Sequence, residues 1–224
     1  MPRASRDSRA ANVWALVPVK GFARAKSRLA GVLSASERER LARELFEHVL
    51  GVLASHRDLA GVAIVTDDRD VAHLAAARDA VVIEEDATAK PANLAQVVDQ
   101  GLLALDRRGA GAALVLMGDL PWLSAEDIQL LLRALGESDT IVVSDERGTH
   151  TNALGLRLAA RNPTHFGAAD SFRRHCEAAR RAGLSLGTPS SPGLAFDLDL
   201  PEDWEKAQAE ARLKRYRASR ASSA

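Results

Sequence analysis

Residues 112–132 read AALVLMGDLPWLSAEDIQLLL, and their reading decides the fold class. Leu114, Val115, Leu116 and Met117 form a short apolar run with the length of a strand buried on both faces. Gly118 and Asp119 follow at its carboxyl end, and Pro121 closes the turn. Ser124 and Asp127 then make a capping box ahead of the helical run Ile128, Leu131, Leu132 and Leu135. A carboxylate at the carboxyl end of a buried parallel strand stands where open α/β sheets bind ligands. A lone Asp there more often only caps a turn. A second acidic cluster far down the chain, Asp197-Leu198-Asp199, argues for the ligand site.

Upstream, the apolar run Val13 to Val19 reads as the first strand and leads into a loop carrying Lys20, Arg24, Lys26 and Arg28. Four cations so close together can neutralise a triphosphate through charge-assisted hydrogen bonds, although such clusters are more often solvated loops. Their place straight after the first strand, where nucleotide-binding folds put a phosphate loop, makes the anion site and the solvated loop about equally good readings. The loop is not a P-loop, because GxxxxGK[ST] is absent. Gly21 lets the backbone come close to a ligand. Ser34 and Glu37 cap a helix through about Ala54, with Leu41, Leu45, Val49 and Leu53 on one face. Gly61 to Thr66 is the second strand, and Asp67-Asp68 supplies an N-cap for a helix near 70–77. Val81 to Ile83 is a third strand, and a helix begins near Asn93, which is either its N-cap or a base-reading amide.

Downstream come strands at Thr140 to Ser144 and Ala153 to Leu158. A helix starts at Asp170 or Ser171 and ends at Gly183, and Leu184 to Leu186 is strand-like. After a Pro/Ser/Gly turn, LAFDLDLPEDW leads into a last helix, with Pro201 at its start and Glu202 and Asp203 in its first turn. Strands alternating with helices give a three-layer α/β/α domain with a mostly parallel, mixed sheet. The expected organisation is a disordered tail over 1–11, one domain over 12–210 and a basic, fraying tail over 211–224.

The 224 residues are 46% apolar and 27% charged, ordinary values for a globular protein. Thirty Lys and Arg balance thirty Asp and Glu, so no global field argues for a nucleic-acid or membrane partner. The single cysteine, Cys176, excludes an intramolecular disulfide and a multi-cysteine zinc site, and reads as a packing residue. No apolar run reaches membrane-span length and no secretory signal core is present, so a cytoplasmic location is expected.

Asp119, Asp197 and Asp199 together with the basic loop point to Mg²⁺ and a phosphate-bearing substrate, and so to nucleotidyl transfer. A phosphate-bearing acceptor would attack the α-phosphorus of a nucleoside triphosphate and expel pyrophosphate. An ionised phosphate is already a nucleophile, so no general base is needed, in keeping with the lack of a Ser-His-Asp or Cys-His arrangement.

Five motifs in order, VPVKGFARAKSRL (17–29), GDLPWLSAEDI (118–128), THTNALGLR (149–157), FGAADSFRRH (166–175) and FDLDLPEDW (196–204), resemble the guanylyltransferases of coenzyme F-420 (deazaflavin) biosynthesis. The resemblance spans roughly residues 13–206. It implies the nucleotide-diphospho-sugar transferase fold and a reaction of GTP with 2-phospho-L-lactate, phosphoenolpyruvate or 3-phosphoglycerate. The product would be a guanosine diphospho-acid that a partner transferase delivers to the deazaflavin precursor Fo.

Carried over by position, the resemblance makes Asp119, Asp197 and Asp199 the metal carboxylates. It assigns Lys20, Lys26 and Arg28 to the nucleotide phosphates, with Asp119, Lys20 and Lys26 the catalytic residues, and matches Asn93 to an Asn of the GTP-binding half. Thr151, Gly167 and Ser171 would surround the phospho-acid. The family usually spaces two residues between the FG glycine and the serine, whereas FGAADS has three, which leaves Asp170 or Ser171 facing the acceptor.

The rivals are a nucleotidyltransferase of the same fold acting on a molybdopterin, a methylerythritol phosphate or a sugar phosphate, a glycosyltransferase with a D-x-D metal motif, and a non-catalytic nucleotide-sensing domain. The first loop lacks the LxGGxSxRMG pattern of the molybdopterin enzymes. The acceptor, the nucleobase apart from the resemblance, and the oligomeric state (a homodimer included) stay open.

Overall fold

Side-chain caps start the helices where the sequence places them. Ser34 with Glu37, Asn93 with Gln96 and Ser124 with Asp127 form complete capping boxes, and Asp68 accepts from the Asp70 and Val71 N–H groups. The computed structural model describes residues 12–84 and 93–221, so the expected N-terminal tail, the loop before Asn93 and the last three residues lie outside the described residues. The elements run β1 (Val13–Pro18), α1 (Ala35–Ala54), β2 (Gly61–Thr66), α2 (Arg69–Ala76), β3 (Val81–Glu84), α3 (Leu94–Arg107) and β4 (Ala112–Leu116). They continue with α4 (Ala125–Glu137), β5 (Thr140–Ser144), β6 (Thr151–Arg157), α5 (Ser171–Arg181), β7 (Leu186–Gly187), α6 (Pro192–Ala195) and α7 (Pro201–Ala221).

The seven strands form one mixed sheet in the order β3-β2-β1-β4-β6-β5-β7. β1 pairs in parallel with β2 and β4, β2 with β3, and β5 with β7, whereas β6 runs antiparallel between β4 and β5. A loop of six residues joins β5 to β6, too short for a parallel crossover, and this forces the reversal. The central strands bury both faces. Ala15, Val17, Ile64, Leu114 and Leu116 pack in one core with α1, α2 and α4, while Leu16, Val65 and Val115 pack in the other with α3 and α5. The expected three-layer α/β/α architecture is thus the one observed.

A smaller core joins Leu29 of the basic loop, Leu41 and Leu45 of α1, and Leu198, with Trp204 of α7 packed against it. This satellite cluster ties the first loop to the Asp197–Asp199 segment. Three details differ from the expectation. The last sheet strand is only Leu186–Gly187. Ser191 caps an additional short helix, α6, through the Leu194 N–H. α7 continues past residue 210 to Ala221, through residues rich in the helix formers Ala, Glu, Lys and Arg. Among the described residues no helix is long and apolar enough to cross a membrane.

From β1 the chain proceeds outward to β2 and β3, and then returns to place β4 on β1's other side. The loops after β1 and β4 therefore diverge, opening a crevice at the carboxyl ends of these two strands.

Candidate active site

A cavity of about 520 Å³ occupies this crevice. Lys20, Lys26 and Arg28 enter from the loop after β1, and Asp119 from the loop after β4. Thr151, Gly167 and Ser171 form the wall at β6 and α5, and Asp197 and Asp199 close the site from the segment before α7. Asn93 stands apart. Its Oδ1 accepts from the Gln96 N–H at 3.0 Å, so the helix-cap alternative is the one realised, and it does not line the cavity. Gly21 packs closely against Asp68: a Cβ there would lie 2.3 Å from Asp68 Oδ2, so the carboxylate would have to move.

Lys26 is the electrostatic centre. Its side chain is only 5% exposed, and Nζ donates to Asp119 Oδ2 at 2.6 Å and to Asp199 Oδ1 at 2.9 Å. Burial works to lower its pKa, but the two carboxylates outweigh burial and raise it, so the ammonium is charged. The backbone holds this residue in the left-handed region (φ 54°, ψ 32°), which for a non-glycine residue persists only when its surroundings fix it. Arg28 Nη1 reaches Asp199 Oδ2 at 3.4 Å. Burial raises the Asp199 pKa, but Lys26, Arg28 and His150 more than offset this and hold it below the usual carboxylate range.

Asp197 has the opposite balance. Burial, then the charges of Asp119 and Asp199, push its pKa up to about 6. Asn152, buried on β6, donates from Nδ2 to the Leu194 and Ala195 carbonyls at 3.1 and 3.0 Å and to Asp197 Oδ1 at 3.4 Å. The Leu198 N–H donates to the Asp119 carbonyl at 3.3 Å, which sets the two acidic segments side by side.

Magnesium, implied by the resemblance, fits this donor set. Carboxylate oxygens are hard ligands, and Asp119 Oδ1 is buried with no hydrogen-bond partner among the described residues. Burial first, and then the charges of Asp119 and Asp199, raise the Asp197 pKa, and a cation there would favour its ionised form. Among the described residues no three His, Cys, Asp or Glu side chains stand together at metal-ligand spacing. The expected trio lines one cavity, and the Lys26 ammonium lies between Asp119 and Asp199.

The opposite wall is built of hydroxyls. Ser171 Oγ accepts from the Thr151 N–H at 3.0 Å, and both residues are buried. Gly167 has φ +84°, a conformation that favours glycine. Asp170 turns away from the cavity to pair with Arg173 and Arg174 on the exposed side of α5, so Ser171 is the residue facing the cavity.

Several lining or supporting residues escaped the sequence reading. Arg147 lines the cavity and donates from Nη2 to Asp203 Oδ1 at 2.9 Å, while Asp203 Oδ2 accepts from the Asp199 and Leu200 N–H groups. Asp145, buried, accepts from the Thr149 and His150 N–H groups and holds His150 at the cavity edge. The polar stretch DERGTHTN was a usable signal for Arg147 and His150. For Asn152 the signal was an amide inside an otherwise apolar strand.

A family model described as guanylyl transferase CofC like matches residues 13–207. Phosphoenolpyruvate guanylyltransferase of Sphaerobacter thermophilus is 38% identical over 88% of this chain and 93% of that protein. 3-Phospho-D-glycerate guanylyltransferase of Phenylobacterium zucineum is 37% identical over 84% of this chain and 86% of its own. 2-Phospho-L-lactate guanylyltransferase of Methanothermobacter thermautotrophicus is 33% identical over 84% and 81%. Among solved structures, a Desulfovibrio desulfuricans protein provisionally described as a nucleotide-diphospho-sugar transferase aligns with a TM-score of 0.67 at 20% identity, covering 79% of each chain, which bears on the fold alone. The chain belongs to the CofC-like guanylyl transferase family, and the cavity between β1 and β4 is the candidate centre of a nucleotidyltransferase.

Proposed function

We propose that the chain joins GTP to a small phospho-acid, namely phosphoenolpyruvate, 3-phosphoglycerate or 2-phospho-L-lactate, giving a guanosine diphospho-acid and pyrophosphate for coenzyme F-420 biosynthesis. One observation carries the reading: a single cavity places a cationic loop on one side, hydroxyl groups at a helix start on the other, and three carboxylates between them. A site for one anion would need only one such wall. Two anion-binding walls with acidic residues between them suit a triphosphate and a phosphorylated acceptor held for in-line transfer.

In this reading Lys20, Lys26 and Arg28 bind the triphosphate and take up charge on the departing pyrophosphate. Thr151, Gly167 and Ser171 hold the acceptor with its phosphate oxygen toward the α-phosphorus. Asp119, Asp197 and Asp199 would hold Mg²⁺. Bound there, the ion would supply charge neutralisation on the phosphate oxygens. Lys26, already paired to Asp119 and Asp199, couples the basic loop to that acidic cluster. The acceptor phosphate needs no base, and the residues act by positioning and by electrostatics. The same-fold rivals with molybdopterin, methylerythritol phosphate or sugar phosphate acceptors are not favoured, since the named relatives are all guanylyltransferases of phospho-acids.

The test is pyrophosphate release by the full chain with Mg²⁺, each of the four ribonucleoside triphosphates and each of the three phospho-acids. The Fo-transferring enzyme and Fo are included to trap a labile product. Release that requires GTP and one phospho-acid and stops with EDTA is the expected result. Binding of GTP with no release across the panel would instead favour a nucleotide-sensing domain.

A further inference from the structure

His175 lies on α5, one turn after Ser171, with its ring buried beneath the acceptor wall. Two of its contacts tie separate parts of that wall together. Nε2 receives the His165 backbone N–H at 2.9 Å, and Nδ1 lies 2.9 Å from Thr151 Oγ1. A backbone N–H can only donate, so Nε2 must be the unprotonated nitrogen. Burial, with His165 nearby, lowers the His175 pKa to about 4 against a smaller opposing pull from the Ser171 carbonyl, so the ring is neutral near pH 7. A neutral ring with Nε2 as acceptor carries its single proton on Nδ1.

The consequence falls on Thr151. An Nδ1–H group cannot accept, so Thr151 Oγ1 must be the acceptor in that contact, and the threonine's own hydroxyl proton is left to point elsewhere. Thr151 lines the cavity. Ser171 Oγ likewise accepts, from the Thr151 N–H. Each hydroxyl thus keeps its own proton free to donate, and both residues line the cavity, where a donor suits an oxyanion. The His165 contact also anchors the turn that carries Gly167.

We propose that His175 is a positioning residue of the acceptor site. Locked as the Nδ1–H tautomer between the His165 backbone and Thr151 Oγ1, it commits the Thr151 hydroxyl to donate to an anionic oxygen of the acceptor. This rests on the phospho-acid reading of the Thr151–Gly167–Ser171 wall. Nothing in it involves the triphosphate side of the cavity, so the effect is confined to one substrate.

The experiment uses the full chain. Pyrophosphate release is measured for wild type, His175→Leu, His175→Asn, His175→Gln, Thr151→Val and the double variant Thr151→Val/His175→Leu, with each substrate varied in turn. His175→Leu raises the acceptor KM about tenfold, in line with loss of one oriented hydrogen bond to a charged group, and leaves the GTP KM within about twofold. The asparagine amide can stand in for Nδ1–H and restores most of the acceptor KM, whereas glutamine, which keeps only the acceptor toward His165, does not. In the Thr151→Val background the leucine substitution adds little, since the hydroxyl it acts through is gone. Equal rises in both KM values, or effects that multiply in the double variant, overturn the proposal. Should the variants fail to fold, the imidazole nitrogen shifts of wild-type protein labelled at histidine decide it: Nδ1–H supports the proposal and Nε2–H overturns it. A wild-type protein that releases no pyrophosphate with any phospho-acid refutes the function reading instead, and the tautomer measurement still stands by itself.

Discussion

The Lys26 ammonium donates to Asp119 Oδ2 at 2.6 Å and to Asp199 Oδ1 at 2.9 Å, bridging carboxylates 93 and 173 residues away in the chain. One cation thereby serves both the basic loop and the acidic cluster. Lys26→Met keeps most of the aliphatic stem and removes the charge. Turnover should fall by about a hundredfold or more in kcat/KM, the scale seen when one fixed electrostatic contact to a developing charge is deleted. Without nucleotide the same variant should bind Mg²⁺ more tightly, because the competing ammonium has gone from Asp119 and Asp199. Steady-state kinetics and calorimetric titration of Mg²⁺ check the two halves. Weaker Mg²⁺ binding in Lys26→Met would show that the ammonium supports the acidic cluster rather than competing for it.

Asp197 and His175 give the protein two opposing linkages to pH. The Asp197 carboxyl has a folded pKa of about 6 against an ordinary value of 3.8. Its contribution is fully present below about 4 and is lost as pH rises through 6, a destabilisation of about 3 kcal/mol at neutral pH. The His175 ring has a folded pKa of about 4 against 6.5. The unfolded chain then binds more protons between these values, so stability falls by about 3 kcal/mol as pH drops across that window. The two nearly cancel between pH 4 and 6. Asp197→Asn should therefore be more stable than wild type at pH 7.5 though inactive, with the gain fading as pH falls from about 6 to about 4. His175→Leu should lose the acid-side decline. Urea unfolding across pH, without Mg²⁺, measures both. A gain for Asp197→Asn that is independent of pH would remove the electrostatic explanation.

Much of the fold was legible because its signals are local. Apolar runs such as Leu114–Leu116 and capping boxes such as Ser124 with Asp127 depend on residues a few positions apart. The strand order was not legible, since the insertion of β6 between β4 and β5 is set by packing between distant segments. The same divide runs through the site. Asp119 announced itself at a strand end, but its pairing with Lys26 is a tertiary fact. The choice between Asp170 and Ser171 was settled by Arg173 and Arg174, three and four residues on along α5, which draw the Asp170 carboxylate to the solvent side. The role of Asn152 depended on which carbonyls the 194–197 segment would bring to it, and no spacing rule encodes that.

Asn152 holds that segment through its buried amide, whose two N–H groups reach Leu194 O and Ala195 O at 3.1 and 3.0 Å, with Asp197 Oδ1 as a longer, shared acceptor at 3.4 Å. Asn152→Ala leaves the two carbonyls without this donor and should cost about 2 kcal/mol of stability, with a clear fall in kcat as Asp197 loses its anchor. Asn152→Asp should be worse, because a carboxylate would face two carbonyl oxygens and Asp197. Urea unfolding together with pyrophosphate release gives the ranking. An aspartate variant as stable as the alanine one would mean that the amide's donor character does not hold the segment.

Lys20 lies two residues past the end of β1, lines the cavity and is exposed, with no salt bridge among the described residues. It therefore contributes little to folding, and Lys20→Ala should change stability by no more than about 0.5 kcal/mol. Its expected partner is a nucleotide phosphate. Loss of one charge-assisted hydrogen bond should raise the GTP KM by about 10- to 100-fold while the acceptor KM stays within about twofold. This is the mirror image of the His175→Leu expectation, so the two variants together divide the cavity into a triphosphate side and an acceptor side. Comparable rises in both KM values for Lys20→Ala would place the ammonium between the two substrates, and the basic loop would then serve the transferred phosphate rather than the triphosphate alone.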